Sequence, residues 1–586
     1  MKNIKKLLSS TIWLVIGITL FLLIQYFFEF HLYYAEQLQL FLYNKTFLSD
    51  LLFSFGGLSE IIGRWFLQFY LHPKVGALIT TFLVLSVAII MDRISKKINS
   101  NISLILLPLL TAVFFLFLHL DHSYYIAGTI AFILMLAAFL VYLYIDKPIV
   151  RIGVATVFTA LLFWWGGSVA FLFSIAVLLW ELLTDKKKIL LSLIPLCLLL
   201  ILAYVSVHFA WIGGYEQIFT PSLYFGIGIT IPSITYFAWG GLVLLILLAY
   251  GLRNQKISDK NGLFVLIGQV IIATVITYYL LPIYGQFSSI QYKKLDYYAR
   301  MERWNDIIEE SKKPITNLLY AYYLNLALME TNQLGKQFFQ FDQKGINGLV
   351  PKTDRNMSTL IISNEMNFAL GDIAASQHYT FECNISISKT GSPRLYKRLV
   401  QTNLISGAYP VAEKYIKLLE QTHYYKEWAT DQRRFLYNDQ AVEEDPLLGK
   451  KRRGLPNENY LLLTTNVVSK LQLLAETDPT NRTAVEYLAS LFLFGKQTAS
   501  FIELIDKYYN TEEALLNMPE KFQEAIIVIT EKSPTEWEKY KINPMIIQKY
   551  KEYKQMFLKN RNNPNLGNML YQNFGNTYWS YFIFSN

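Results

Sequence analysis

The stretch Arg151–Thr184, RIGVATVFTALLFWWGGSVAFLFSIAVLLWELLT, decides the fold, because it sets whether the chain crosses a bilayer an even or an odd number of times. A hydrocarbon core of about 30 Å needs about 20 apolar residues of helix. The stretch is too long for one such helix, and Trp164-Trp165-Gly166-Gly167 interrupts it. It reads as two short helices, 151–165 and 168–183, folding back at the glycines, either as two spans or as a re-entrant pair. Working outward, apolar runs at 11–28, 76–92, 102–120, 125–145, 189–208, 233–251 and 262–283 bring the expected total to nine spans. The run after Met1–Lys6 is longer than a signal-peptide core and is followed by aromatics rather than small residues, so it reads as a retained first helix.

Basic residues orient the spans. Lys2, Lys5 and Lys6; Arg93, Lys96 and Lys97; Lys147 and Arg151; Lys186–Lys188; and Arg253, Lys256 and Lys260 fall on one side. The other side holds Lys45, Arg64 and Lys74, then almost nothing. This pattern predicts a bacterial inner-membrane protein with a cytoplasmic N-terminus and, after an odd number of spans, a C-terminal half outside the cytoplasm.

Composition agrees. Charged residues make up 17% of the chain and hydrophobic ones 53%, against about 25% charged in a soluble protein, and the apolar excess ends near residue 284. The net charge of +9 sits largely in short basic loops, so no nucleic-acid partner is expected. Cys197 and Cys383 imply no disulfide framework. No phosphate-cradling glycine loop, zinc pattern or nucleophile elbow is present.

From Gln286 onward apolar residues recur at helical spacing. Leu295, Tyr298, Ala299, Trp304 and Ile308 read as one helix, and Pro314 opens another through Leu319, Tyr323 and Ala327. Helix pairs follow at Ile361–Leu370 and Ala374–Phe381 around Gly371, and at Leu395–Ile405 and Val411–Leu419 around Gly407. Asp478-Pro479-Thr480-Asn481 before Ala484 reads as a further junction. Small residues at turns and close helix contacts are the mark of tetratricopeptide-type packing; an irregular helical bundle is the alternative. Glu443–Asn457, with Lys450, Lys451, Arg452 and Arg453, reads as an exposed loop, with a phosphate- or lipid-facing patch as the alternative. The expected architecture is thus all-α. A polytopic transmembrane helical bundle of about nine spans occupies residues 1–285, with a long first outer loop at 29–74. An extracytoplasmic, TPR-like helical-repeat domain follows at 286–586.

The first outer loop divides into two amphipathic helical stretches, 31–43 and 57–70, with aromatic faces suited to the membrane interface. It presents Glu29, His31, Glu36, Gln37, Asp50, Glu60, Arg64 and Gln68, and a short later loop reads His119-Leu120-Asp121-His122. This plan resembles the GT-C-type glycosyltransferases, which use lipid-linked sugar donors. Their first outer loop carries an essential acidic residue, and many have an acidic or acidic–histidine motif after the third span. The resemblance, over residues 1–285, implies that Glu36 or Glu29 fills the first position and Asp121, flanked by His119 and His122, the second. No Asp-Glu pair stands in the first loop, which departs from the family pattern. It implies Glu36 and Asp121 as catalytic carboxylates and a polyprenyl-linked donor. Arg64, Gln37, Gln68, Glu60 and, from a later loop, Glu216 are expected substrate contacts. His119, Asp121 and His122 could ligate a divalent metal.

The whole chain is also similar to an uncharacterised family of bacterial inner-membrane proteins, a domain of unknown function. That similarity is carried by Phe55-Gly56-Gly57-Leu58 through Arg64, Gln68 and Phe69, and by Ala484–Leu488 through Pro519, Gln523, Glu524 and Ala525. The plainer readings are that Glu36 and Glu60 form solvated faces, that His119 and His122 are interfacial polar residues, that Glu181 snorkels, and that the glycine pairs at 56, 166, 213 and 240 permit turns or close packing. Two main functions follow: a GT-C-like transferase, or a non-enzymatic membrane anchor for a scaffold that holds an envelope protein through its repeats. A transporter ranks below both, because mid-span charges are nearly absent.

Overall fold

The computed structural model describes residues 2–99, 104–184, 189–226, 228–255, 259–351, 356–387, 391–456, 467–509 and 517–584. Lys186–Lys188, Lys256 and Asn457 therefore lie outside the described residues. The chain is 77% helical, and among the described residues there is no strand.

Each expected apolar run forms a helix: α1 (Lys2–Phe27), α2 (Glu29–Glu36), α3 (Lys45–Leu52), α4 (Gly57–Leu67), α5 (Pro73–Ile98), α6 (Leu106–Leu120), α7 (Ile126–Leu143), α8 (Pro148–Trp165), α9 (Val169–Thr184), α10 (Ile189–His208), α11 (Tyr215–Phe219), α12 (Ser233–Gly251) and α13 (Asp259–Tyr284), with α2, α3, α4 and α11 as connecting helices. Among the described residues, six are long and apolar enough to cross a membrane: α5, α7, α8, α10, α12 and residues 264–284 of α13. α6 and α9 are shorter apolar helices, and the chain bends by 76° between α1 and α2. This is a membrane protein. Residues 151–184 break into two helices at Gly166-Gly167, where Gly167 takes a φ of +83° that side chains resist.

Two compact units emerge. The first comprises residues 1–293 together with 387–393 and 421–426; the second comprises 294–386, 394–420 and 427–586.

In the first unit α6 packs with α5, α12 and α13, and Phe115, Leu116, Phe117 and Leu118 are buried. Glycines set the closest approaches. A Cβ on Gly63 of α4 would lie 2.7 Å from the Ala127 backbone nitrogen in α7, and one on Gly167 would lie 3.5 Å from the Gly56 Cα. Two of the glycine pairs singled out in the sequence therefore pack against each other.

The first outer loop differs from expectation. The 31–43 stretch is helical only to Glu36, and residues 38–42 run non-helical yet buried. Two of its backbone groups find partners on other segments of the chain. The Leu40 carbonyl accepts from Arg64 Nη1 at 3.3 Å, and the Tyr43 N–H donates to the Gln421 carbonyl at 2.8 Å. Tertiary hydrogen bonds here replace the helical ladder. The second stretch is α4 followed by a 3₁₀ turn, Gln68–Leu71.

Glu181 does not snorkel. It is buried, accepting from Arg151 Nη2 and from the Tyr142 hydroxyl, each at 2.5 Å, and so ties the start of α8 to the end of α9.

The second unit is a succession of short helices, including Leu318–Glu330, Met357–Leu370, Pro393–Ile405, Tyr409–Leu419, Arg482–Phe494 and Thr498–Tyr508. Six helix ends close in the same way, with a left-handed residue at Glu302, Asn332, Gly371, Gly407, Lys496 and Lys541. In each, that residue's N–H bonds three residues back and the next N–H five back, as in Asn332 to Met329 and Gln333 to Leu328. This is the Schellman motif. It corrects the expected single helix through Leu295 and Ile308, since Glu302 (φ +55°) ends one helix and the next begins at Trp304. No glycine marks that break.

The basic stretch after Glu443 is not an exposed loop. It begins at the end of the helix Asp439–Glu444 and forms the helix Leu448–Arg453. Lys451 Nζ donates to the Ala369 carbonyl at 2.7 Å, and Arg452 donates to the Ile405 carbonyl at 3.0 Å and the Leu404 carbonyl at 2.8 Å. These carbonyls end two helices, whose dipoles favour positive charge there. A buried ionic network joins further helices: Arg394 bridges Asp296 (2.7 Å) and Glu365 (3.1 Å), and the Tyr323 hydroxyl donates to Asp296 at 2.9 Å.

Candidate functional site

Within the first unit, chain segments far apart in sequence meet around Asp121. The α6–α7 turn is held by an antiparallel bridge between Tyr124 and Phe225, with Tyr125 N–H donating to the Tyr224 carbonyl and Gly226 N–H to the Ser123 carbonyl, both at 2.9 Å. Asp121 Oδ1 accepts from the Ser123 N–H (2.9 Å) and hydroxyl (2.7 Å). These local bonds aim the carboxylate.

His31 and His119 are buried beside it. His31 Nε2 donates to the His119 carbonyl at 2.7 Å, while Lys293 Nζ lies 2.7 Å from His31 Nδ1. Because a carbonyl can only accept, Nε2 carries a proton. His31 Nδ1, left without a proton, is then the acceptor for Lys293 Nζ. Lys293 is 1% exposed. Burial pulls its ammonium down to about 7, against the opposing pull of the Asp121 carboxylate. The rings of Tyr34 and Tyr292, each 5.8 Å from Nζ, offer their faces to the cation. His122 Nδ1 lies 4.0 Å from Asp121 Oδ1. Burial and the charge on Lys293 lower the His122 pKa, and Asp121 opposes them.

His31, Ala35, Leu38 and Gln39 line a cavity with Leu67, Tyr70 and residues 119–126 other than Leu120 and Ser123. Its free space is about 20 Å³, room for one water and far too little for a sugar. The buried Gln39 side-chain amide nitrogen finds no hydrogen-bond partner among the described residues.

The expected site residues divide accordingly. Asp121, His119 and His122 all line this cavity, but not as a metal triad. His119 Nε2 points to the Thr129 hydroxyl at 3.0 Å. Among the described residues no three His, Cys, Asp or Glu side chains converge on a metal position. Glu36 is buried but does not line the cavity; its carboxylate accepts from the Tyr425 hydroxyl at 3.0 Å. Gln37 is buried beside it in sequence. Arg64 pairs with Glu60 one helical turn away, its Nε 3.1 Å from the carboxylate, and holds the Leu40 carbonyl, so both act as braces for the loop. Gln68 donates to the Tyr43 hydroxyl at 2.9 Å. Glu216 is exposed on α11 and lines no part of the cavity.

Sequence reasoning missed Lys293, Tyr425 and Gln421, which lie beyond the apolar half. His31 was visible only as one polar residue of a long loop. Lys293 carried a faint signal: it stands among aromatic and apolar neighbours in a helix that starts directly after the last apolar run.

Residues 3–585 match a family described as a family of unknown function, DUF6057, and the chain belongs to it. No curated protein and no solved structure matches.

Proposed function

We propose that this member of DUF6057 is an inner-membrane transferase, similar in plan to the GT-C glycosyltransferases, that moves a sugar from a polyprenyl phosphate on the outer face. The observation that carries the reading is that Asp121 and His31 line one cavity, with Lys293 Nζ 2.7 Å from His31 Nδ1. An acceptor hydroxyl attacks the anomeric carbon, the bond from that carbon to the phosphate oxygen breaks, and the electron pair leaves with the phosphate. Asp121 takes the acceptor proton, and Lys293 offsets the charge gathering on the phosphate. The small cavity means that the loops must part for substrate. The basic-loop pattern supports a cytoplasmic N-terminus and a TPR-like C-terminal half outside the cytoplasm.

The test uses the full chain in lipid nanodiscs with a radiolabelled polyprenyl-phosphate hexose, following release of polyprenyl phosphate. Asp121→Ala is expected to lower turnover by about 10²–10⁴-fold, the usual worth of a positioned base. Wild-type turnover in that variant, or none in the wild type with any hexose donor, sinks the reading.

The successive Schellman-ended helices of the second unit favour a second reading, in which the spans only anchor a scaffold for an envelope protein. It predicts that residues 294–586 on an unrelated membrane anchor restore function to a deletion strain. A well-expressed chimera that fails to do so counts against it.

A further inference from the structure

Largely on segments that also supply cavity-lining residues, the first unit carries a surface built of rings. Tyr43 and Trp65 are exposed by 49% and 40%, and His72 and His423 are also exposed. His423 and Tyr424 pack edge to face at 4.6 Å between centroids. Tyr424 meets His72 at 5.2 Å and Phe69 at 6.2 Å, and Phe69 meets Trp65 at 5.1 Å. His423 lies 6.4 Å from Tyr43.

The cluster is held in place. The backbone bond from Tyr43 to Gln421 and the side-chain bond from Asn44 to Gln421 pin residues 421–426 to the first outer loop. Gln68 fixes the Tyr43 hydroxyl. Each element also reaches the cavity or borders it. Leu67 and Tyr70 flank Gln68 and Phe69 in sequence and line the cavity. Tyr425, next to Tyr424, holds Glu36, next to the lining residue Ala35.

A ring surface near a membrane has a plain explanation, an interfacial aromatic belt. Three features favour another occupant. The patch mixes two imidazoles and an amide with its rings. Its charged neighbours on the same segments, Lys45, Asp50, Lys74 and Lys426, are exposed. And the rings meet edge to face or tilted rather than forming a flat layer, with Trp65 and Tyr43 partly exposed. Aromatic faces that stack on the C–H groups of a pyranose, ringed by side chains that bond its hydroxyls, are the chemistry of a sugar subsite, apolar body and polar rim together.

We infer that the surface formed by Tyr43, Trp65, Phe69, His72, His423 and Tyr424 is a carbohydrate subsite that seats the acceptor glycan, a role that rests on the transferase reading. Binding is measured in Asp121→Asn protein in nanodiscs, so that no turnover is needed. The probes are chitotetraose and maltotetraose, titrated calorimetrically. The expected result is saturable binding of at least one, weakened about tenfold (~1.4 kcal/mol) by Trp65→Ala and by His423→Ala. Trp65→Phe should retain it. Both side chains are only partly exposed, so melting temperatures are compared with wild type, and retention of binding by Trp65→Phe separates lost stacking from lost packing. Absence of binding by both oligosaccharides, or binding that the substitutions leave unchanged, overturns the inference. So does a patch whose substitution alters only the lipid retained by the protein, which identifies a membrane belt. Each of these outcomes leaves the Asp121 turnover test standing.

Discussion

Replacing Lys293 by methionine should stabilise the protein near neutral pH and destabilise it in alkali. The lysine is 1% exposed, and burial lowers its pKa from 10.5 to about 7. A lowered folded pKa means that the unfolded chain binds the proton more tightly. Above about pH 10.5 both states are neutral and the lysine imposes no penalty. As pH falls toward 7 the unfolded state gains a proton that the folded state refuses, and stability drops until the folded group also protonates. At about 1.4 kcal/mol per factor of ten, the full penalty is about 5 kcal/mol at and below pH 7. Methionine of similar length removes it but leaves His31 Nδ1 without its partner at 2.7 Å, a loss of about 1–3 kcal/mol. The variant should thus be more stable by roughly 2–4 kcal/mol near pH 7 and less stable by roughly 1–3 kcal/mol above pH 10. Thermal unfolding in detergent, followed by tryptophan fluorescence from pH 6.5 to 10.5, gives the comparison. A shift of the same sign and size at both ends would refute the reasoning, because it would mean that Lys293 carries no desolvation penalty. On the transferase proposal, the stabilised variant should also be the less active one near neutral pH, because it lacks the amine proposed to offset charge on the leaving phosphate.

Arg151→Met should destabilise the membrane unit by about 3–5 kcal/mol by leaving Glu181 buried and unpaired, and adding Glu181→Leu should recover most of that loss; a double-mutant cycle on melting temperatures checks it. Gly63→Val should disrupt the α4–α7 contact, because even a Cβ would lie 2.7 Å from the Ala127 nitrogen. A loss of more than about 1–3 kcal/mol is expected, read as lower yield and earlier unfolding. Lys496→Gly should stabilise the second unit by about 0.5–1 kcal/mol, because Lys496 holds a φ of +54° that glycine adopts without strain; a denaturant midpoint shifted to lower concentration would contradict this.

Sequence alone determined where the apolar helices run, including the break at Gly166-Gly167, because hydrophobicity and glycine turns are properties of short windows. It also singled out the His119–His122 loop, since polar residues packed into a short connector between apolar runs stand out. The tertiary structure decided what those residues face. His119 turns its ring to Thr129, Asp121 is aimed by Ser123, and Glu36 is held by Tyr425, which lies 389 residues further along. The structure also decided that residues 38–42 are not helical, because Arg64 and Gln421 supply hydrogen bonds that no local pattern announces. It ended helices at Glu302, Asn332, Lys496 and Lys541, where packing imposes a left-handed residue that side-chain chemistry disfavours. Above all it brought Lys293 to His31. A buried charge is specified by the partners that surround it, and those partners come from segments whose separation in the chain erases any periodic trace of their meeting.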